Sequence, residues 1–141
     1  MPCLAFAAIA LSAASPPPQA DLTVAVSGLR NHRGAVRVCL TQRADLYLKC
    51  DKDPKRIAKS LPASGAAKVA FGDLEPGTYV LVVLHDENEN SKMDTMLKIP
   101  KEGFGFSRNP AIRMGPPKLE QVKFIIAPGH NEQLLRLKYL L

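Results

Sequence analysis

The sequence predicts one all-β domain, a single antiparallel β-sandwich of about seven strands. Short segments alternate apolar with polar residues at a period of two, and turn residues separate them at roughly even spacing. Almost no segment has the 3.6-residue period of an amphipathic helix. A length of 141 residues and a hydrophobic content of 46% suit one globular domain rather than a disordered or membrane protein.

The first two predicted strands lie near the start of this domain. Alternating apolar residues at 22–26 predict the first strand, and the same pattern at 34–40 predicts the second. Asn31 and Gly34 are turn residues in the segment between them. We therefore expect the two strands to form an antiparallel hairpin.

The middle of the chain predicts three further strands. A short one is expected to begin near Arg56, after a surface loop interrupted by Asp53-Pro54. Residues 66–71 predict the next strand, and the Asp-Leu-Glu-Pro-Gly turn at 73–77 follows it. Residues 78–85, the most apolar run after the N-terminal segment, are β-branched and aromatic, which predicts the central strand.

The last part of the chain is less regular. Phe104 and Phe106 flank a glycine in a predicted surface loop, where they form either an apolar surface for a ligand or partner or a plug at the sandwich end. Residues 122–127 predict a strand, residues 128–131 a turn, and residues 134–140 the closing strand. The pattern is typical of a prealbumin-like or immunoglobulin-like sandwich.

The N-terminal residues have the composition of an export signal. Residues 1–15 carry no charge, are rich in Ala, Leu and Ile, and end in small residues. We expect residues 1–20 to be a signal peptide with a Pro-rich junction, cleaved after Ala20, and residues 21–141 to be a periplasmic or secreted domain. The alternative is a retained hydrophobic anchor, although the run is shorter than the ~20 residues that span a bilayer.

Export favours disulfide formation, because the compartments outside the cytoplasm are oxidising. Cys3 would leave with the signal, so Cys39 and Cys50 are predicted to pair. Two free thiols are the alternative. A bond between them would stabilise the domain by ~3 kcal/mol if it introduced little strain.

The net charge of +6 lies wholly after residue 20. It predicts either affinity for anionic surfaces, such as lipid head groups or acidic glycans, or a basic surface that aids solubility. Nucleic acid is not an expected partner, because the basic residues are dispersed and only 6% of residues are aromatic.

The segment after the central strand predicts a cation site. Side-chain oxygens recur in Asp86, Asn88, Asn90 and Asp94, and the Lys92 carbonyl adds another, which is the alternating pattern that wraps Ca²⁺. Leu97 stands where a strong site would have a bidentate Glu, so only ~10⁻⁴ to 10⁻³ M affinity is expected. The alternative is a network of Asx turns. His85, at the end of the strand, is expected to hydrogen-bond to the loop or contact a ligand.

Long stretches of the chain resemble a known bacterial family. The segments LTVAVSGLRNHRGAVRVCL, FGDLEPGTYVLVVLHDENENSKMDT, IPKEGFGFSRN and GPPKLEQVKF resemble the exported proteins called the domain of unknown function numbered 2141. The resemblance implies export, a transthyretin-like β-sandwich and no assigned activity. Glu89 and Ser91 occupy positions at which the family pattern HDENGNGKLD has glycine.

These features predict a non-enzymatic binding module of the cell envelope that recognises an envelope component or small ligand. No phosphate-binding glycine loop, nucleophile elbow or pair of catalytic carboxylates is present in the sequence. Two alternatives remain. One is a transthyretin-related hydroxyisourate hydrolase that uses residues such as His32, His85, Arg30 and Arg37, by analogy of fold only. The other is a binder of anionic lipids or glycans.

Overall fold

The computed structural model describes residues 2–5, 7–10, 19–65, 68–89, 95–96, 99–100, 102–113 and 115–140. Its elements, in chain order, are β1 (Ala20–Ser27), β2 (Ala35–Thr41), β3 (Ile57–Pro62), β4 (Lys68–Leu74), β5 (Gly77–Asp86), β6 (Thr95–Met96), β7 (Ile99–Pro100), β8 (Gly103–Phe106), α1 (Leu119–Val122), β9 (Phe124–Ile126) and β10 (Gly129–Arg136). Three short 3₁₀ turns lie in the connections before β3 and β4. Among the described residues, no helix is long and apolar enough to cross a membrane.

The strands form two sheets that enclose a common core. One sheet has the order β10-β1-β4, and the other has the order β3-β2-β5-β8, with β9 also paired to β5. Strands β6 and β7 make a separate two-stranded ladder. Of the strand pairs that the described residues form, only β1–β10 is parallel. The predicted all-β sandwich is confirmed.

The predicted hairpin between the first two strands is wrong. Strand β1 pairs with β4 and β10, whereas β2 pairs with β3 and β5 in the other sheet. The connection at residues 28–34 therefore crosses from one sheet to the other. Alternation along a strand shows which face is buried, but it does not show which strand lies alongside.

The core between the sheets follows the predicted alternation. Leu22 and Val24 of β1 face Val36 and Val38 of β2 within one buried cluster. Each fully buried side chain of this kind contributes roughly 1.5–3 kcal/mol through removal of apolar surface from water. These core residues are therefore the ones that the two-residue period predicts to be buried.

A second apolar cluster covers the outer face of the five-stranded sheet. Phe104 and Phe106 belong to β8 and are 5% and 8% exposed, so the prediction of a surface loop there is wrong. Both rings point away from the main core, because Gly105 between them faces Leu135 and Leu137. They pack with the buried side chain of Val122. Both rings therefore pack on this outer face, not at the end of the sandwich where the plug was predicted.

The C-terminal region also differs from the prediction in its boundaries. The sequence pattern predicts a strand over residues 122–127, but α1 ends at Val122 and β9 begins at Phe124. Strand β10 begins at Gly129, inside the predicted turn, and ends at Arg136. The Gly129 N–H donates to the Gln19 carbonyl at 3.0 Å, which starts the parallel pairing with β1. The limits of β10 are set by its pairing with β1, a distant partner that the sequence pattern does not reveal.

The predicted disulfide between Cys39 and Cys50 is confirmed. The sulfurs are bonded at 1.99 Å, and the Cα atoms lie 6.2 Å apart. Cys39 lies in β2, and Cys50 begins a 3₁₀ turn in the connection to β3. The bond therefore anchors that connection to the sheet.

Candidate functional site

Strand β5 ends in His85 and Asp86, and Glu87 follows directly. Because β5 lies between β2 and β8, its end is held from both sides. Successive side chains in a strand point to opposite faces. His85 therefore points toward the sandwich interior, like Leu81 and Val83, whereas Asp86 points to the outer face. Both side chains are 0% exposed.

Both ring nitrogens of His85 are hydrogen-bonded. Nε2 lies 2.7 Å from the Arg33 carbonyl, and Nδ1 lies 2.7 Å from the Tyr139 hydroxyl. A carbonyl can only accept, so Nε2 donates to it, and in the neutral ring Nδ1 then accepts from Tyr139. Burial raises the pKa of Tyr139, which keeps its hydroxyl protonated and able to donate. His85 thus ties β5 to the β1–β2 connection and to the C-terminal segment.

Tyr139 reaches His85 because β8 has a glycine in its path. Gly103 pairs with His85 across the two strands. A Cβ on Gly103 would lie 2.4 Å from the Tyr139 ring, closer than atoms can pack. Reciprocal backbone bonds between Phe104 and Lys138, at 3.0 and 2.8 Å, place the C-terminal segment beside β8. The glycine is needed here for close approach, not for its backbone conformation.

Glu87 is held by an arginine from the β1–β2 connection. Arg30 Nε donates to Glu87 Oε1 at 2.6 Å, and Asn31 Nδ2 donates to the same oxygen at 3.3 Å. The hydrogen bond from Arg30 lowers the pKa of Glu87 and raises that of Arg30, so both remain charged. The Arg30 guanidinium also lies 4.6 Å from the centre of the Tyr139 ring, a cation–π contact. The buried Glu102 adds a favourable charge that raises the pKa of Arg30.

Asp86 is paired with an arginine on the neighbouring strand. Arg37 Nε donates to Asp86 Oδ2 at 2.8 Å, and Arg37 Nη1 donates to Ser60 Oγ of β3 at 3.0 Å. Arg37 lies opposite Leu84 in the ladder, so it reaches Asp86 as a diagonal neighbour on the same face. The guanidinium compensates a buried carboxylate that would otherwise be costly.

The β1–β2 connection packs tightly against this strand end. Gly34 has a φ of +70°, and a Cβ at this position would lie 2.1 Å from the Asp86 carbonyl oxygen. Only glycine tolerates both conditions without a shift of the backbone. Gly34 is a predicted turn residue, and its lack of a side chain also lets the backbone at the end of β5 approach closely.

The structure describes only the beginning of the predicted calcium loop. The Glu89 N–H donates to the Asp86 carbonyl at 3.3 Å, which makes a turn around Asn88. Glu89 has a φ of +55°, the left-handed region that favours glycine. Asn90, Lys92 and Asp94 lie outside the described residues.

The other two histidines are exposed. His32 is exposed in the β1–β2 connection. His130, on β10, contacts Asp21 and lies 3.2 Å from Glu132 through Nε2. These two hydrogen bonds raise the pKa of His130. Within the part of the chain that the structure describes, no group of three His, Cys, Asp or Glu residues could hold a metal ion.

The arrangement is a network of compensated charges that immobilises the end of β5, which we call the strand-end network: Arg30, Asn31, Arg33, Arg37, His85, Asp86, Glu87 and Tyr139. The sequence pattern indicated His85 and Asp86, whereas Arg30 and Arg37 entered only by analogy of fold and Tyr139 did not enter at all. Asn31 and Arg33 lie in the polar segment RNHRG, where any side chain could have faced solvent. Tyr139 is 54 residues from His85, so only the fold brings them together.

One family model matches the chain. Its description is "Uncharacterized protein conserved in bacteria (DUF2141)", and the match covers residues 24–133. Comparisons with curated proteins and with solved structures returned no match.

Proposed function

Because the chain belongs to the bacterial family DUF2141, which is uncharacterised, we propose its role from the strand-end network: a non-enzymatic, exported binding protein of the cell envelope. Its binding element would be the loop that follows β5. The observation that carries this proposal is the immobilised end of β5, where His85, Asp86 and Glu87 each contact a different part of the chain. A fixed strand end orders the first residues of the loop and so lowers the entropy lost on binding.

The same contacts favour binding over catalysis at His85. A general base needs a ring nitrogen within reach of a substrate proton. In His85, one nitrogen donates to the Arg33 carbonyl and the other accepts from Tyr139, and the side chain is fully buried. A hydrolase that used this histidine would have to break a structural hydrogen bond in every cycle. This argument favours the binding role over the hydroxyisourate hydrolase alternative.

We propose that the loop binds Ca²⁺ through the oxygens of Asp86, Asn88, Asn90 and Asp94 and the carbonyl of Lys92. Support comes from their alternating spacing, which is the way in which acceptors wrap a hard cation. The position of Asp86, directly at a rigid strand end, would anchor the first ligand.

Two features would keep the affinity modest. The positive charge of Arg37 lies 2.8 Å from Asp86 Oδ2 and opposes a second cation there. Leu97 stands where a strong site would have a bidentate Glu. A dissociation constant of about 10⁻⁴ to 10⁻³ M is therefore expected.

Calorimetric titration of the full chain with CaCl₂ tests the metal site. We expect saturable heat and a raised melting temperature for the unsubstituted protein, and loss of both in an Asn90→Ala/Asp94→Ala variant. Asp51→Ala is the matched control, because Asp51 is an exposed acid outside the loop. No heat and no change in melting temperature at millimolar Ca²⁺ would exclude the metal site.

Glu89→Gly tests the loop conformation separately. The folded protein already holds the positive φ at Glu89, so relief of its cost stabilises the fold, and this variant should raise the unfolding free energy by about 1–2 kcal/mol. Glu89→Ala removes the same side chain but keeps a Cβ, and it should show no such gain. Equal stability of both variants in urea unfolding would show that the positive φ at residue 89 carries no such cost.

Export and the anionic partner are separate parts of the proposal. Support for export comes from the uncharged residues 1–15, and support for an anionic envelope partner comes from the net charge of +6. Cell fractionation should place the expressed full chain in the periplasm or medium, and Ile9→Arg should retain it in the cytoplasm. Equal cytoplasmic retention of both proteins would refute export.

A further inference from the structure

A cleft lies at the end of the sandwich opposite the strand-end network. It has a volume of about 230 Å³, and its lining includes Leu40, Arg43, Asp53, Lys55, Ile57 and Tyr79. In the β2–β5 ladder, Leu40 pairs with Leu81, five residues from the Ala35–Asp86 pair at the other end. The cleft is therefore separate from the calcium loop.

The floor of the cleft is apolar. Leu40 and Tyr79 belong to the main core, and their side chains close the cleft from below. Ile57, the first residue of the edge strand β3, is 37% exposed and forms one wall. A large aliphatic side chain that is open to solvent beside an apolar floor offers surface that a ligand would remove from water.

In the cleft, the cationic side chains are exposed to solvent, whereas the carboxylate is buried in the protein. Asp53 is buried, and its carboxylate accepts from Thr41 Oγ1 at 2.5 Å and from the Lys55 N–H at 2.9 Å. The hydrogen bond from Thr41 lowers the pKa of Asp53, so the carboxylate is ionised but directed into the protein. Arg43 and Lys55 are exposed. Arg43 also donates to the exposed Asp45 at 2.9 and 2.7 Å, which fixes its guanidinium near the cleft.

The surrounding segment is basic. Residues 43–59 contain six Lys or Arg and three Asp, and so contribute half of the net charge of +6. The segment is also rigidly attached, because Cys50 is bonded to Cys39 of β2 and the Arg56 N–H donates to the Asp53 carbonyl at 3.2 Å. A preformed cleft requires little ordering when a ligand enters.

We infer that this cleft binds a small organic anion, namely a carboxylate on an apolar body of about six to eight carbon atoms. An apolar cavity of ~150 Å³ takes one benzene, so about 230 Å³ suits a body of this size. The apolar body contacts Leu40, Ile57 and Tyr79, and the carboxylate lies at the mouth beside Lys55 and Arg43. This site is independent of the calcium loop and of the proposed envelope role.

Titration of the ¹⁵N-labelled full chain with sodium octanoate, followed by NMR, tests the inference. We expect saturable shifts confined to residues that line the cleft, with a dissociation constant of about 1–10 mM, as ten non-hydrogen atoms allow. Octanol, which has the same chain without the charge, should bind at least about fivefold more weakly.

Two variants separate the apolar and charged contributions. Lys55→Gln should weaken octanoate binding about two- to fivefold and leave octanol unchanged, because the Lys55 side chain contributes only its charge. Ile57→Ser should weaken both ligands. Lys52→Gln is the matched control, since Lys52 is exposed in the same segment but does not line the cleft.

Three results would overturn the inference. The first is an absence of shifts in cleft residues at ten times the expected dissociation constant. The second is octanol binding as tightly as octanoate, which would remove the anion specificity. The third is an equal effect of Lys52→Gln and Lys55→Gln, which would indicate a general charge effect. Circular dichroism spectra of all variants verify that they fold.

Discussion

Replacement of Tyr139 by Phe isolates the hydrogen bond that connects the C-terminal segment to His85. The variant keeps the ring and its contact with Arg30 but removes the hydroxyl, which lies 2.7 Å from His85 Nδ1. His85 is 0% exposed, so Nδ1 loses the donor that satisfies it in the folded protein. An unsatisfied buried acceptor costs about 1–3 kcal/mol. The Arg30 N–H also loses its acceptor, but it is exposed and can bond to water instead.

The expected loss of 1–3 kcal/mol is large enough for routine measurement. It corresponds to about 4–12 °C in melting temperature for a domain of this size. Urea unfolding followed by circular dichroism measures the free energy, and an unchanged denaturant slope would show that the unfolded state is unaffected.

Tyr79→Phe is the matched control. Its hydroxyl donates to the Glu75 carbonyl at 2.6 Å, and Glu75 is exposed, so water can rehydrate that acceptor. We expect this variant to cost less than about 1 kcal/mol. The reasoning about the strand-end network would be refuted if Tyr139→Phe cost no more than Tyr79→Phe.

Three further predictions concern pH, the disulfide and the β1–β2 connection. The lowered pKa of Glu87 contributes stability that is present above its unfolded pKa of about 4.3 and is lost as pH falls through the folded value. Arg30→Gln should therefore reduce the loss of unfolding free energy between neutral and acidic pH, as measured by urea titrations at each pH. A Cys39→Ser/Cys50→Ser variant should be about 3 kcal/mol less stable by urea unfolding, because its unfolded chain is no longer cross-linked. Gly34→Ala should lower the melting temperature more than any surface substitution, since its Cβ would lie 2.1 Å from a carbonyl oxygen.

Each of these predictions has a matched comparison. Arg43→Gln removes an arginine whose acid partner is exposed, so it should change acid stability less than Arg30→Gln. Treatment of the unsubstituted protein with a reductant should reproduce the stability loss of the double serine variant, and a discrepancy would point to the serines themselves. Gly115→Ala tests conformation alone, because Gly115 has a φ of +82° with open space around it. A cost at Gly115 equal to that at Gly34 would contradict the role assigned to close packing.

The sequence predicted most strands because their signal is local. Burial of one face imposes the two-residue period, and β1, β2 and β5 show it clearly. Turn residues then limited the ends of these strands. Predictions failed where the partner was distant: the pairing of β1 with β10 is parallel and joins residues more than 100 positions apart.

The candidate site was predicted only in part, for the same reason. His85 and Asp86 stood out because they open a segment in which oxygen-bearing side chains alternate. Arg30 and Arg37 entered only through the analogy of fold with a hydrolase, and Tyr139 was missed because it lies near the end of the chain, far from His85 in sequence. The aromatic pair Phe104 and Phe106 was assigned to a loop, because a glycine between two aromatics is a weak strand signal.

The sequence by itself determined the all-β class, the cysteine pair and the place where β5 ends, because each depends on residue type and short-range period. The tertiary structure decided which strands are neighbours and which charges meet. In the folded protein, Tyr139 is hydrogen-bonded to His85. Arg37 pairs with Asp86, and Arg30 pairs with Glu87. Those contacts depend on angles and distances set by packing of the two sheets, and no local pattern encodes them.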